Sequence, residues 1–342
     1  MKHLPALDGM RAIAVLSVIG SHVVTPYIPG SFGVTLFFFI SGFIITRMLL
    51  ENRGSLSAFY IRRFFRLYPA LVAYIAASIV SMHFSSETLR WDGVAAGLLF
   101  YTNYYPETSG YFTHLWSLAV EEHFYIVFPL LAIFLRRKGL LVALICCLAF
   151  ALCMRVYGYH AGLAQGYIQG ATHMRIDSIA YGCLVSVLFH NADKMAGIAS
   201  VLGHLSTRYG IFISFILLVL TFAIRSEEFR QTLRYTLQGM SFALMFCGIF
   251  YRRSLPNIFF RLLESKKFGY IGSISYSLYL FHELGRMIAF RLGFTQFSFD
   301  NIAVTFAITI PLALLSFYAI EQPCRRFGAA LAFRSTKLPM LT

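Results

Sequence analysis

Long apolar segments are the feature that most constrains how this chain can fold. Ten of them have roughly the 17 to 25 residues with which a helix crosses the hydrocarbon core of a bilayer. Hydrophobic residues make up 58% of the 342-residue sequence and charged residues 13%, whereas soluble domains carry about 25% charged residues. We therefore predict an all-α integral membrane bundle of about ten transmembrane helices. The predicted spans are residues 10–28, 31–50, 67–84, 114–135, 139–157, 174–190, 209–224, 233–250, 270–290 and 301–320.

The net charge of the chain, +14 at pH 7, follows this membrane topology. If the N-terminus is cytoplasmic and each span crosses once, most of the 29 lysines and arginines fall in cytoplasmic segments, as the positive-inside rule expects. Both termini are then cytoplasmic, residues 92–101 form an interfacial piece, and no nucleic-acid partner is needed. Residues 1–342 contain no long linker, so a single domain is predicted. The six cysteines lack metal-ligand spacing, and no metal is predicted.

Ionisable residues inside the predicted spans are costly and need a partner or a role. His22 follows Arg11 by eleven residues, which is about 16 Å along a helix axis and reaches the middle or outer half of the membrane. Glu121 lies in "HLWSLAVEEHFY", one to two turns below the outer rim of a span that runs inward. This shared depth predicts that Glu121 approaches His22. A carboxylate in that position would orient the imidazole for proton transfer.

Packing explains some of these residues equally well. His22 alone could be a hydrogen-bonded packing element, and Glu121 with Glu122 could mark a helix end near the headgroups. His282 and Glu283 are harder to assign to packing, since both lie deep in the ninth predicted span and must face the bundle interior or a wet cavity.

Polar residues near the predicted outer face are assigned to structure. His114, His123 and His173 have the positions of interfacial residues. Arg175 and Asp177, at the outer start of the sixth predicted span, could form a structural ion pair.

The inner loop at residues 51–69 contains a second group of interest, "SLSAFYIRRFFRLYP". Arg63 and Arg66 are three residues apart and share a face if the segment is helical. Arginine side chains bind phosphates through two parallel hydrogen bonds. An ordinary positive-inside anchor is the alternative. The phosphate-binding motif GxxxxGK[ST] is absent, which disfavours a nucleotide hydrolase.

Seven motifs together resemble the membrane-bound acyltransferase-3 family. The opening "LPALDGMRAIAVLSVIGSH" has an arginine, ten residues and then a histidine, Arg11 and His22 here. The resemblance covers nearly the whole chain, but His123 stands where glutamine is expected in E-E-Q-F-Y. The other motifs are "GVTLFFFISGFIIT", "FYIRRFFRLYPAL", "HLWSLAVEEHFY", "MRIDSIAYGCL", "ISYSLYLFH" and "IEQPCRRF".

The resemblance implies an O-acyltransferase that moves an acyl group, commonly acetyl, from cytoplasmic acyl-CoA to a carbohydrate or lipid-linked glycan. It also implies a multi-pass protein of a bacterial inner membrane. The implied catalytic residues are His22, Glu121, Arg11 and Asp8. The implied substrate-binding residues are Arg63, Arg66, Ser41, Trp116, Glu122 and His282.

In the predicted mechanism His22 is the general base, and Arg63 and Arg66 hold the phosphates of the donor. Ser41 would supply a hydrogen bond to the developing oxyanion. Arg11 would stabilise the anionic donor or pair with Asp8. Direct transfer and an acyl-imidazole intermediate both remain open.

A proton-coupled transporter or a flippase of a lipid-linked sugar is the alternative from another class. Intramembrane histidine, glutamate and arginine would suit a proton relay. The sequence contains neither an inverted repeat nor paired broken helices, which such carriers often show. The residue chemistry alone leaves both functions open, and the motifs favour the transferase.

Overall fold

A computed structural model of the chain describes residues 4–51, 55–85, 87–105, 109–192, 196–251 and 257–337. These residues form helices and connecting turns, with no strand among them. The α-helices are α1 (Pro5–Ile19), α2 (Gly30–Glu51), α3 (Leu56–His83), α4 (Trp91–Leu98), α5 (Trp116–Phe134), α6 (Arg137–His160), α7 (Gln165–Gly170), α8 (Thr172–Ala192), α9 (Ala196–Leu205), α10 (Arg208–Ala223), α11 (Glu227–Gln231), α12 (Leu233–Phe246), α13 (Asn257–Leu263), α14 (Lys266–Ser273), α15 (Ser275–Arg291), α16 (Phe299–Ser316) and α17 (Gln322–Lys337). Single π-helical turns extend α1, α12 and α16.

The all-α prediction is confirmed, and each predicted span lies on helix. Six helical stretches are long and apolar enough to cross a membrane, or seven if the bent pair α9 and α10 is one span. Helices α8, α12 and α15 fall outside this set. Helix α15 has only 17 residues, and α8 and α15 carry charged side chains that are matched inside the bundle. The ninth predicted span is broken at Ile274 into α14 and α15. Orientation remains a prediction, and residues 1–3 and 338–342 lie outside the described residues.

Helices α2 and α8 approach closely because glycines remove side chains from their contact. A Cβ atom built on Gly42 would lie 2.0 Å from the carbonyl oxygen of Ile179, and one on Gly182 would lie 2.0 Å from that of Phe39. Small residues at helix contacts allow the close backbone packing on which membrane bundles depend. This contact fixes α2, which forms one wall of the cavity described below.

Large apolar side chains on α6 and α10 face outward. Val142, Ile145 and Phe212 are each about half exposed or more, as is Val219. Such surfaces are costly in water but suit the hydrocarbon core of a bilayer. These two helices therefore belong at the lipid-facing edge of the bundle.

The buried charge on α8 is neutralised by a residue that the sequence did not indicate. Arg155 of α6 donates to Asp177 at 2.7 Å, and both side chains are almost completely buried. The predicted pairing of Arg175 with Asp177 is therefore wrong. Arg175 instead donates to the Thr35 hydroxyl and lies 3.7 Å from the centre of the Tyr235 ring.

The segment predicted to lie at the interface contains the short helix α4. Its first turn is fixed by Asp92, which accepts hydrogen bonds from Arg90 and from the Tyr105 hydroxyl. These two donors lower the pKa of the Asp92 carboxyl to about 2. Trp91 is 69% exposed, a position suited to an interfacial anchor.

Candidate functional site

A cavity of about 340 Å³ lies between α1, α2, α3, α5, α15 and α17. Its volume is within the range of small-molecule sites. Five arginines line it, together with a single acidic side chain, Glu121, among the described residues. The arginines are Arg11, Arg62, Arg63, Arg66 and Arg325. Such an excess of positive charge suits an anionic ligand.

Arg63 and Arg66 both line the cavity. They lie on helix α3, so the segment is helical, as their predicted shared face required. Arg63 lies 3.3 Å from Glu122 and 3.5 Å from Glu121, and its guanidinium group stacks on the Tyr125 ring. Arg66 makes no hydrogen bond or ion pair with any described residue, and its Nε is buried. Its charge is therefore more available to a ligand than that of Arg63.

Two other predicted residues are held by their neighbours. The Ser41 hydroxyl donates to Glu121 at 2.9 Å, so its proton is already used by the carboxylate. Arg11 lies 3.4 Å from Asp8, the pairing that was one of the two predicted options for this arginine. Both Arg11 and Ser41 line the cavity.

His22 lies on the π-helical turn Gly20–Val24 that extends α1, an irregularity that often occurs at functional sites. Its Nδ1 is 3.0 Å from Nε2 of His282, on α15. The other nitrogen of His282, Nδ1, is 2.5 Å from the carbonyl oxygen of Tyr279. A carbonyl oxygen can only accept, so Nδ1 of His282 carries a proton and Nε2 of neutral His282 accepts one from Nδ1 of His22.

This chain of hydrogen bonds fixes the tautomer of His22. Because Nδ1 holds the proton, Nε2 of neutral His22 has a free lone pair, as a general base requires. Nε2 makes no hydrogen bond within the described part of the chain. The arrangement leaves the basic atom of His22 available for chemistry.

The predicted contact between His22 and Glu121 is not made, and no hydrogen bond joins them in the described ranges. His282 packs against His114, which precedes Glu121 by seven residues. Seven residues correspond to about 10 Å along a helix, so Glu121 lies about two turns deeper along α5 than the histidines. The depth estimate from the sequence was therefore off by about two turns.

Tyr279 forms the contact between the cavity and the histidine pair. It lines the cavity, and its ring centre is 5.6 Å from that of His282. The Tyr279 hydroxyl is fixed by the carbonyl oxygen of His114 and by the Ser117 hydroxyl, each at 2.7 Å. His22 is not among the described residues that line the cavity in this conformation.

The carboxylate beside the histidine pair is Glu283, which the site prediction omitted. The donor atoms of His22, His282 and Glu283 all lie within 4.8 Å of one another, so the three side chains have the geometry to hold a metal ion. Arg286 binds the Glu283 carboxylate at 2.5 and 3.0 Å. The sequence signal for this pair is a glutamate and an arginine three residues apart within a predicted span.

Trp116 and His123, two further residues of α5, lie away from the cavity. Trp116 packs against Phe38 and the Arg175 guanidinium group and is not a lining residue in the part of the chain described, so its substrate-binding role stays a prediction. His123 is hydrogen-bonded to Thr172 at 2.7 Å in a separate groove.

Comparison with known proteins gives a consistent result. A family model described as an acyltransferase domain matches residues 4–321. A protein of Staphylococcus aureus (strain MRSA252), provisionally named an O-acetyltransferase, is 30% identical over 374 aligned positions that cover 99% of this chain and 60% of that protein. The O-acetyltransferase OatA of Staphylococcus aureus (strain NCTC 8325 / PS 47) is 27% identical over 368 positions, covering 98% and 60%.

The chain thus spans about 60% of the length of these curated relatives. No solved structure matches it.

Proposed function

The chain belongs to the acyltransferase-3 family, and we propose that it is a membrane O-acyltransferase. It moves an acyl group, acetyl in the first instance, from cytoplasmic acyl-CoA to a hydroxyl of a carbohydrate or lipid-linked glycan. Its location is the plasma membrane of a bacterium, as the bacterial relatives suggest. The arginine-rich end of the cavity faces the cytoplasm, in keeping with the positive-inside rule.

The donor binds with its phosphates among the cavity arginines. Arg66, which has no partner among described residues, supplies the main contact, together with Arg62 and Arg325. Arg63 contributes less, because Glu121 and Glu122 neutralise it. The long arm of acyl-CoA then carries the thioester through the cavity toward Tyr279.

His22 acts as the general base. Its Nε2 accepts the proton of the acceptor hydroxyl as the hydroxyl oxygen attacks the thioester carbon. The C–S bond then breaks, and the CoA thiolate leaves. The imidazolium of His22 returns the proton to this thiolate. His282 accepts a hydrogen bond from Nδ1 of His22 throughout.

Tyr279 separates the thioester from the base in the present conformation. Transfer requires its ring to move aside, or the thioester and the acceptor to meet beside it. The two hydrogen bonds of its hydroxyl would hold the closed position until a donor arrives.

One observation carries the proposal: an arginine-lined cavity ends at Tyr279, which packs on the hydrogen-bond partner of His22. Membrane vesicles, labelled acetyl-CoA and an envelope extract provide the test. Label should appear on carbohydrate with the wild type and with His204→Ala, an exposed histidine outside the site, but not with equally inserted His22→Ala. Equal labelling with His22→Ala would remove His22 from the mechanism. Movement of a glycan without labelling in the wild type would instead indicate transport.

A further inference from the structure

We propose that His22, His282 and Glu283 bind a divalent transition-metal ion of the Zn²⁺ class, and that the bound ion holds His22 inactive as a base. The inhibition rests on the proposed function, whereas the binding does not. The three side chains come from two ends of the chain, and the fold brings them together at one position between α1 and α15.

The donor atoms are close enough for a shared ion. Nδ1 of His22 and Nε2 of His282 are 3.0 Å apart, and a carboxylate oxygen of Glu283 lies within 4.8 Å of a ring nitrogen of each histidine. Zinc binds nitrogen at about 2.0–2.1 Å, which in a tetrahedron separates neighbouring ligands by about 3.3 Å. Small side-chain adjustments would therefore admit the ion. Two imidazoles and one carboxylate are a common ligand set for Zn²⁺, with a fourth position left for water.

Two of these ligands already make the supporting hydrogen bonds that are typical of metal sites. Metal-binding histidines usually donate their second N–H to a backbone carbonyl, and ligating carboxylates are themselves hydrogen-bonded. His282 donates Nδ1–H to the Tyr279 carbonyl, which leaves its Nε2 lone pair for a ligand. Glu283 is held by two hydrogen bonds from Arg286. Two of the three ligands are thus oriented before any ion arrives.

The surroundings also suit an ion with a bound water. His282 is fully buried and Glu283 is 4% exposed, whereas His22 is partly exposed. The site is therefore buried on one side and near the protein surface on the other. Buried His114 packs edge-on against His282. Neither of its ring nitrogens makes a well-aligned hydrogen bond in the described part of the chain, although the Leu280 carbonyl lies close by. Such an imidazole can accept a hydrogen bond from metal-bound water.

Occupancy of the site has a direct consequence for His22. A metal on Nδ1 takes the lone pair that becomes available only when the Nδ1 proton is gone. The single proton of neutral imidazole then resides on Nε2. Nε2 is the atom that must accept the proton of the acceptor hydroxyl, so the metal-bound enzyme lacks its base.

Metal binding to the detergent-solubilised full chain tests the site without reference to acyl transfer. We would titrate Zn²⁺ alone and Co²⁺ alone, following the Co²⁺ absorption spectrum and the thermal unfolding temperature. One ion should bind per wild-type chain, with the spectrum of a tetrahedral nitrogen and oxygen site. Glu283→Gln and His282→Gln should weaken binding by at least about tenfold, since even losing an outer hydrogen bond costs 10- to 100-fold. His204→Ala should bind as the wild type does.

Free cysteines such as Cys146 and Cys153 are exposed and could bind zinc by themselves. Such binding would show a sulfur-to-cobalt charge-transfer band and would be the same in Glu283→Gln. Equal affinities of wild type and Glu283→Gln, or no bound ion, would overturn the site. If Glu283→Gln fails to insert, Arg286→Lys serves in its place, with the same expected weakening. Zinc binding without any slowing of acyl transfer would overturn only the inhibition, and absence of transfer under all conditions would overturn only the proposed function.

Discussion

Nδ1 of His22 lies 3.0 Å from Nε2 of His282, a residue 260 positions later in the chain. The partner of the proposed base is therefore a second imidazole from α15. The carboxylate beside this pair is Glu283, one residue beyond His282. The acidic pair of α5, Glu121 and Glu122, instead serves Arg63 at the arginine-rich side of the cavity.

Loss of the orienting histidine should slow turnover without weakening donor binding. General base catalysis contributes about 10²–10⁴-fold to a rate, and His22→Ala should lose this factor. His282→Ala retains His22 but removes the hydrogen bond that orients its ring. We therefore expect kcat to fall by about 10- to 100-fold, a smaller loss than that of the base itself, with an unchanged KM for acetyl-CoA. Steady-state kinetics in vesicles would measure both constants. A wild-type kcat in His282→Ala would show that the hydrogen bond has no catalytic role.

Replacement of Glu121 by glutamine distinguishes two possible roles of this carboxylate, neutralising Arg63 and acting on His22. The amide keeps the shape and still accepts the Ser41 hydrogen bond, but it removes the negative charge beside Arg63. The cavity becomes more positive, so the KM for acetyl-CoA should fall by about threefold to tenfold at low salt, with less effect at high salt. If Glu121 acted on His22 instead, kcat would fall and KM would stay constant.

Arg66 should dominate the binding of the donor phosphates. A hydrogen bond to a charged group contributes about 1.5–3 kcal/mol, so Arg66→Ala should weaken acetyl-CoA binding by about tenfold or more. Arg47→Ala provides the matched control, because Arg47 is already paired with Glu51 at 2.6 Å outside the cavity lining. Equilibrium binding of labelled acetyl-CoA at two salt concentrations would measure the effect. Equal affinity in Arg66→Ala and Arg47→Ala would contradict the assignment.

The sequence singled out residues that the fold brings to the cavity and to the histidine pair, but it did not identify all of their partners. The cost of burying charge singled out His22, Glu121 and His282, and the three-residue spacing placed Arg63 and Arg66 on one face of α3. Depth along a helix was harder to derive. The predicted span for His22 ran to residue 28, whereas the helical segment ends at Val24, so His22 lies close to the end of the helix.

Lateral neighbours could not be derived from one sequence. Apolar periodicity does not specify which helices are adjacent, so the Arg155–Asp177 pair and the approach of α15 to α1 were missed. The same uncertainty affected the count of spans. Buried polar groups on α8 and α15 make helices of the bundle interior less apolar than lipid-facing ones, as the exposed apolar side chains of α6 and α10 illustrate.

The contact between α2 and α8 should depend on glycine at position 182. In Gly182→Ala the new Cβ atom would meet the backbone of Phe39 at 2.0 Å and of Phe43 at 2.8 Å. Backbone atoms cannot rotate away, so the helices must separate, and overpacking of this kind costs about 1–3 kcal/mol. Gly269→Ala is the control, because a Cβ there meets nothing within 4 Å, and alanine in a helix should be neutral or stabilising by up to about 1 kcal/mol. Thermal unfolding in detergent should therefore show a lower Tm for Gly182→Ala and an equal or higher Tm for Gly269→Ala. Equal Tm values for Gly182→Ala and the wild type would mean that the two helices are not held together by this close approach.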